Sequence, residues 1–253
     1  MRAGKNSRTK LISFSGMDGA GKSTQIQNLC AELKAMGLRV RVIQFWDDVA
    51  MFTRFRESAS HTLFKGERGI GTPSAPVNRQ DKNVRSSPMT AARLLLYFAE
   101  AVSTRLFVKK ICRSGEDVVI FDRYIYDQLA NLNLNNPIMR AYGRLIMNFV
   151  PRPDLSYLLD ANPAEARARK PEYPLEFLNI CRASYMALCD FIGGITVIPP
   201  MPVQLVHQQV LRNALDVLSN SGAESSRDLN MRTLDNRGEA ARMDESFTRP
   251  SAS

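Results

Sequence analysis

The chain has 253 residues, 44% of them hydrophobic, enough to bury one substantial core rather than a string of small ones. No uncharged apolar run reaches the roughly eighteen residues of a membrane span, and the basic opening MRAGKNSRTK leads into a short strand instead of a signal-peptide core, so a cytoplasmic protein away from the membrane is expected. The net charge of +9 sits mainly in Arg2, Lys5, Arg8 and Lys10 and in the stretch from Arg54 to Arg93; with no RNA-binding motif this fits a pocket for nucleotide phosphates at least as well as a nucleic-acid groove, and extended nucleic-acid binding is not expected.

LISFS, residues 11–15, is an apolar run before a glycine-rich turn, and Lys22 to Met36 then carries apolar residues at helical spacing as far as Gly37. LRVRVIQFW, residues 38–46, alternates and is rich in β-branched residues, which predicts a second strand. From about His61 to Pro88 the chain is rich in Gly, Pro, Ser and charge, as a long mobile loop would be. Thr90 to Cys112 reads as a long helix whose core-facing stripe runs through Ala91, Leu94, Leu95, Phe98, Val102 and Leu106. VVIF, residues 118–121, is too short for a helix and typical of a buried parallel strand.

Tyr126 to Val150 is helical with an interruption near Asn136 and Pro137, and LSYLL, residues 155–159, is the next strand. Asn162, Pro163 and Glu165 have the pattern of N-cap, first-turn proline and capping-box acid. Leu175 to Ile192 makes a further helix, ITVIP the last strand and Val203 to Leu218 the last helix. Strands alternating with helices predict an α/β fold, a parallel sheet of about five strands flanked by helices. The expected organisation is a basic segment 1–10, one domain 11–218 and a disordered polar tail 219–253. Cys30, Cys112, Cys181 and Cys189 are scattered singly, which predicts buried free thiols.

Gly16 to Ser23 matches GxxxxGK[ST] between an apolar strand and a helix, where a phosphate-binding P-loop belongs. The backbone N–H groups of Gly19, Ala20, Gly21 and Lys22 can wrap a phosphate at the positive end of the helix. The Lys22 ammonium would reach the β- and γ-phosphates of ATP, Ser23 would hold Mg²⁺, and Thr24 completes the nucleotide-binding set. Asp122 follows VVIF directly and so emerges at the carboxyl end of a buried strand, where a second Mg²⁺-associated acid fits. Arg123 could clamp the transferring phosphoryl group. The plainer readings are a glycine-rich turn without ligand, and for Asp122 and Arg123 a capping acid and a surface salt bridge.

GMDGAGKSTQ, VVIFDRY, PDLSYLLD and LEFLNICRASY occur in an order and spacing that resembles thymidylate kinases, P-loop nucleoside monophosphate kinases, over roughly residues 10–200. The resemblance implies ATP- and Mg²⁺-dependent phosphorylation of a nucleoside monophosphate, with dTMP as default acceptor, and a homodimer built on the long helices. By the same resemblance, Asp18 takes the acceptor's sugar hydroxyl, Phe98 stacks on its base, and Arg167, Arg169 and Lys170 close a short lid over ATP. The alternatives are a core role for Phe98 and a solvated basic helix face for the lid cations.

Two departures stand out. The family's arginine one turn after the stacking Phe is Val102 here, and its phosphate-gripping arginine after the second strand is replaced by Phe45-Trp46-Asp47-Asp48, with Arg54 or Arg56 as possible substitutes. They leave open a kinase for another acceptor, a nucleoside, a different monophosphate or a sugar, and a non-catalytic ATP-binding switch. Phosphoryl transfer to an acceptor phosphate needs no general-base histidine, so His61 and His207 are expected to be bystanders.

Overall fold

The computed structural model describes residues 8–49 and 87–219. The loop expected over 61–88, with His61, lies outside them up to residue 86, its last two residues opening a helix instead, and Arg54, Arg56, residues 1–7 and the tail from 220 lie outside as well. Residues 8–49 and 87–212 belong to one compact unit, and the helical residues 213–219 belong to a second.

Five short apolar runs become strands: β1 Lys10–Ser15, β2 Val40–Gln44, β3 Val118–Asp122, β4 Leu155–Leu159 and β5 Thr196–Ile198. The helices are α1 Lys22–Ala35, α2 Ser87–Ile111, α3 Ile125–Leu129, α4 Pro137–Phe149, α5 Pro163–Arg169, α6 Leu175–Ile192 and α7 over 203–219. The strands form one sheet in the order β2-β3-β1-β4-β5, and every pair is parallel, as helical crossovers require. Among the described residues no helix is long and apolar enough to cross a membrane.

Ile12 and Phe14 of β1 and Val119 to Phe121 of β3 have no exposed surface, each large side chain stabilising the fold by roughly 1.5–3 kcal/mol. Register is pinned by polar contacts as well. The Asp154 carboxylate accepts from Leu11 N at 2.9 Å and from Lys10 Nζ at 3.1 Å, and Ser13 Oγ pairs with Ser156 Oγ at 3.1 Å. The register Phe14↔Asp122 brings the end of β3 level with the end of β1, where the glycine-rich turn begins.

Several local expectations hold for their stated reasons. The Asn136 side chain accepts from Ile138 N at 2.8 Å and Met139 N at 3.3 Å with Pro137 in the first turn, so α4 starts there, although the break is longer than expected because α3 already ends at Leu129. Asn162 does the same for α5, accepting from Ala164 N at 2.9 Å. The second strand is shorter than its alternation predicts. Asp48 Oδ2 accepts from Gln44 N at 2.8 Å and draws Phe45–Val49 into a π-helical turn, with Phe45 and Val49 buried.

The face of α2 differs from the prediction. Leu95, Phe98 and Leu106 are 71%, 41% and 62% exposed, whereas Tyr97, Glu100, Ala101, Thr104, Val108 and Ile111 form the buried side. The helix is apolar on two sides, so hydrophobic spacing alone picks the wrong one. Buried Glu100 accepts a hydrogen bond from buried Gln128 Nε2 of α3, and the Thr104 hydroxyl donates to the Glu100 carbonyl at 2.7 Å. These bonds pair the Glu100 carboxylate and the Thr104 hydroxyl inside the core line, while Gln128 Oε1 is buried with no hydrogen-bond partner among the described residues. The four cysteines are free, but Cys112 is exposed and the others are half-buried, contrary to the burial expected of them.

Candidate active site

The turn between β1 and α1 has the backbone that its glycines allow. Gly19 and Gly21 have φ of 81° and 88°, in the left-handed region that side chains disfavour. A Cβ on Gly19 would stand 2.4 Å from the Ala166 carbonyl oxygen, so α5 lies directly against the loop. Gly19→Ala therefore meets both a strained φ and a backbone clash. The expected cost is about 1–3 kcal/mol in thermal stability with weakened nucleotide binding, measured by melting with and without ATP.

Lys22 opens α1 and folds back into the loop, its Nζ donating to the carbonyls of Gly16 at 2.8 Å and Met17 at 2.9 Å. Its pKa is lowered from 10.5 to about 8, chiefly by burial and then by nearby Arg123, against the opposing pull of Asp18, Asp127 and Asp122. Ser23 and Thr24 are exposed in the first turn of α1. Ala20 N closes a turn onto the Met17 carbonyl at 3.3 Å.

Arg123 stands at the end of β3 with φ 71°, the one non-glycine with positive φ among the described residues. Its N–H donates to the Phe14 carbonyl at 2.9 Å, extending the pairing of β3 with β1. The guanidinium spans two carboxylates: Nη2 donates to Asp18 Oδ1 at 2.5 Å and Nη1 to Asp127 Oδ1 at 3.0 Å. Burial alone would depress its pKa, but Asp127, Tyr185, Asp18 and Asp122 around it raise it, so it stays charged. Asp122, beside it, has its pKa raised by burial, opposed by Lys22 and Arg123.

The structure thus brings Asp18, Lys22, Asp122 and Arg123 together at the carboxyl ends of β1 and β3. Among the described residues no group of three or more His, Cys, Asp or Glu side chains could hold a metal ion by itself. A magnesium ion here would need oxygens from nucleotide phosphates beside any from Ser23 and Asp122, which suits a small cation that keeps few protein ligands.

Arg167 and Arg169 are exposed on α5, and Lys170 pairs with Glu172 at 3.3 Å. Arg169 also lines a cleft of about 380 Å³ beside the loop, together with Ala20, Asp160, Pro199, Met201 and Val206. Phe98 is not brought to this cluster. It turns outward from α2, its ring 5.7 Å from that of Phe149.

Sequence reasoning missed Asp127, Tyr185 and the Asp160–Arg182 pair, in which Arg182 Nε and Nη2 both donate at 2.7 Å. Asp127 had a signal, an acid four residues after Arg123 on a helical start.

No protein-family model matches the chain. It is similar to a probable thymidylate kinase of Methanosphaera stadtmanae, 27% identical over 208 residues that cover 81% of this chain and 96% of the relative. A thymidylate kinase of Chlorobium luteolum is 31% identical over 181 residues, covering 67% and 72% of the two chains. One from Bifidobacterium longum is 31% identical over 163 residues, covering 62% and 69%.

Proposed function

Because the chain belongs to the thymidylate kinase family, we propose that it transfers the γ-phosphoryl group of ATP to dTMP, giving dTDP and ADP. The observation that supports this most directly is the ion pair between Asp18 of the phosphate loop and Arg123 after β3, 2.5 Å across, with Lys22 close enough to feel both charges. It unites a donor-phosphate cradle and an acceptor-side cation in one site. A cytoplasmic location goes with this reading and with four free thiols.

In this proposal Lys22 exchanges its two carbonyl partners for the β- and γ-phosphate oxygens, and α1 aims its positive end at the same anion. Its ammonium is already stripped of water, so its attraction to the phosphate is strong. Arg123 hands one edge of its guanidinium to the phosphoryl group in transfer, and Asp18 takes the sugar hydroxyl. Ser23 and Asp122 would hold Mg²⁺, which neutralises charge on the β- and γ-oxygens when bound. The donor's base occupies the cleft lined by Ala20, Pro199 and Met201, where Arg169 can close over it, with Arg167 reaching from the same helix. Positioning and charge neutralisation suffice because the acceptor phosphate is already an anion.

ADP formation by the purified protein with ATP, Mg²⁺ and a panel of nucleoside monophosphates plus thymidine tests this. Selective conversion of dTMP to dTDP, read by mass, is expected; a different preferred acceptor would overturn the assignment.

The same reading includes a homodimer packed through the outward apolar face of α2. Leu95, Phe98 and Leu106 there, with Ile138 and Leu145 of α4, are the large apolar side chains that a second copy would cover. Leu95→Glu and Leu106→Glu together are expected to shift the protein to a monomer in sedimentation equilibrium; an unchanged mass would remove this face from consideration.

A further inference from the structure

The two carboxylates on Arg123 are not equivalent. Asp127 is 2% exposed, and four donors surround its carboxylate. Oδ1 accepts from Arg123 Nη1 at 3.0 Å and from the Tyr185 hydroxyl at 2.6 Å, while Oδ2 accepts from Ser15 Oγ at 2.8 Å and Tyr124 N at 3.2 Å. A carboxylate offers about four lone-pair sites, so these four donors leave this one no room for substrate or metal. Its donors come from β1, the turn after β3 and α6, which fixes it from three directions. Asp18 by contrast is 30% exposed and sits on the glycine-rich turn.

A capping role for α3 accounts for Oδ2 and Tyr124 N, and leaves the contacts of Oδ1 unexplained. The geometry points to Asp127 as a positioning residue: it holds the Nη1 edge of Arg123 in place, with Tyr185 bracing the same oxygen, so that only the Nη2 edge exchanges between Asp18 and the phosphoryl group in transfer. This rests on the kinase reading above. The arrangement also holds Arg123 in its left-handed backbone conformation, since the anchored guanidinium and the N–H bond to Phe14 fix both ends of the residue.

Two readouts test it. In protein labelled with ¹⁵N-arginine, the Arg123 side-chain signals, assigned with Arg123→Lys, are expected to be resolved in the wild type and averaged by rotation in Asp127→Asn. In dTMP kinetics, Asp127→Asn is expected to lower kcat on the order of a hundredfold through misplacement of Arg123. In an Arg123→Lys background the same substitution is expected to change kcat by less than about twofold, because the two residues act as one unit.

Resolved Arg123 signals in Asp127→Asn, or an equal kcat loss in both backgrounds, would overturn the proposal. Tyr185→Phe takes a donor from the same oxygen without touching the α3 cap, and carries both readouts if Asp127→Asn does not fold. A wild type that leaves dTMP unconverted sinks the kinase reading instead, and the arginine spectrum then decides the positioning role alone.

Discussion

Lys22→Ala is expected to reduce ATP-dependent phosphoryl transfer by about 10²–10³-fold or more while the protein still melts cooperatively. The loss follows from position: Lys22 is 7% exposed, inside the loop rather than beside it, and carries the one ammonium bonded to the Gly16 and Met17 carbonyls. Turnover measured beside a thermal melt separates the chemical loss from unfolding. Wild-type turnover in the variant would show that the loop does not bind the donor.

The same residue gives a pH signature. Its pKa falls from 10.5 in the unfolded chain to about 8 in the folded one, chiefly through burial, a difference of about 3 kcal/mol. Between pH 8 and 10.5 the unfolded chain keeps a proton that the folded chain has released, so this group makes stability rise with pH across that window. Below pH 8 the burial cost is constant. Without nucleotide, the wild type should therefore gain stability relative to Lys22→Ala as pH climbs through the window. A difference independent of pH would mean that the ammonium is solvated.

Arg123→Ala is expected to abolish transfer and to destabilise the fold by about 3–5 kcal/mol, the cost of leaving a buried carboxylate without its cation. Asp127, 2% exposed, bears that cost, while Asp18 at 30% can turn to water. Adding Asp127→Asn to Arg123→Ala should recover part of the lost stability and none of the activity. Chemical denaturation of the single and double variants measures this, and a double variant less stable than Arg123→Ala would contradict the account.

The phosphate loop was legible because its chemistry is contiguous: one turn supplies the glycines, the lysine and the serine, and a strand and helix flank it. The breaks at Asn136 and Asn162 were legible for a similar reason, since a cap is a local hydrogen bond. What stayed hidden depends on residues far apart in the chain. The inward face of α2 carries Glu100, whose partner Gln128 lies 28 residues on, and without that partner a polar residue argues for the outer face. Tyr185 reaches Asp127 across 58 residues, a pairing that no spacing rule encodes. The early end of β2 turns on Asp48, which reads as polar surface until its bond to Gln44 N is seen.

The strand order also bears on how the protein is born. β1 and its phosphate loop leave the ribosome before the other four strands, yet β1 is the middle strand, and both its neighbours are made later. Asp18 waits 105 residues for Arg123, and Ser13 waits 143 for Ser156. At elongation speeds of about 5–20 residues per second the first interval is on the order of ten seconds, during which the nascent chain carries every residue of the phosphate loop without the sheet that shapes it. Nucleotide capture is thus a late event in synthesis, and chains released before β4 should be inert toward ATP despite an intact P-loop sequence.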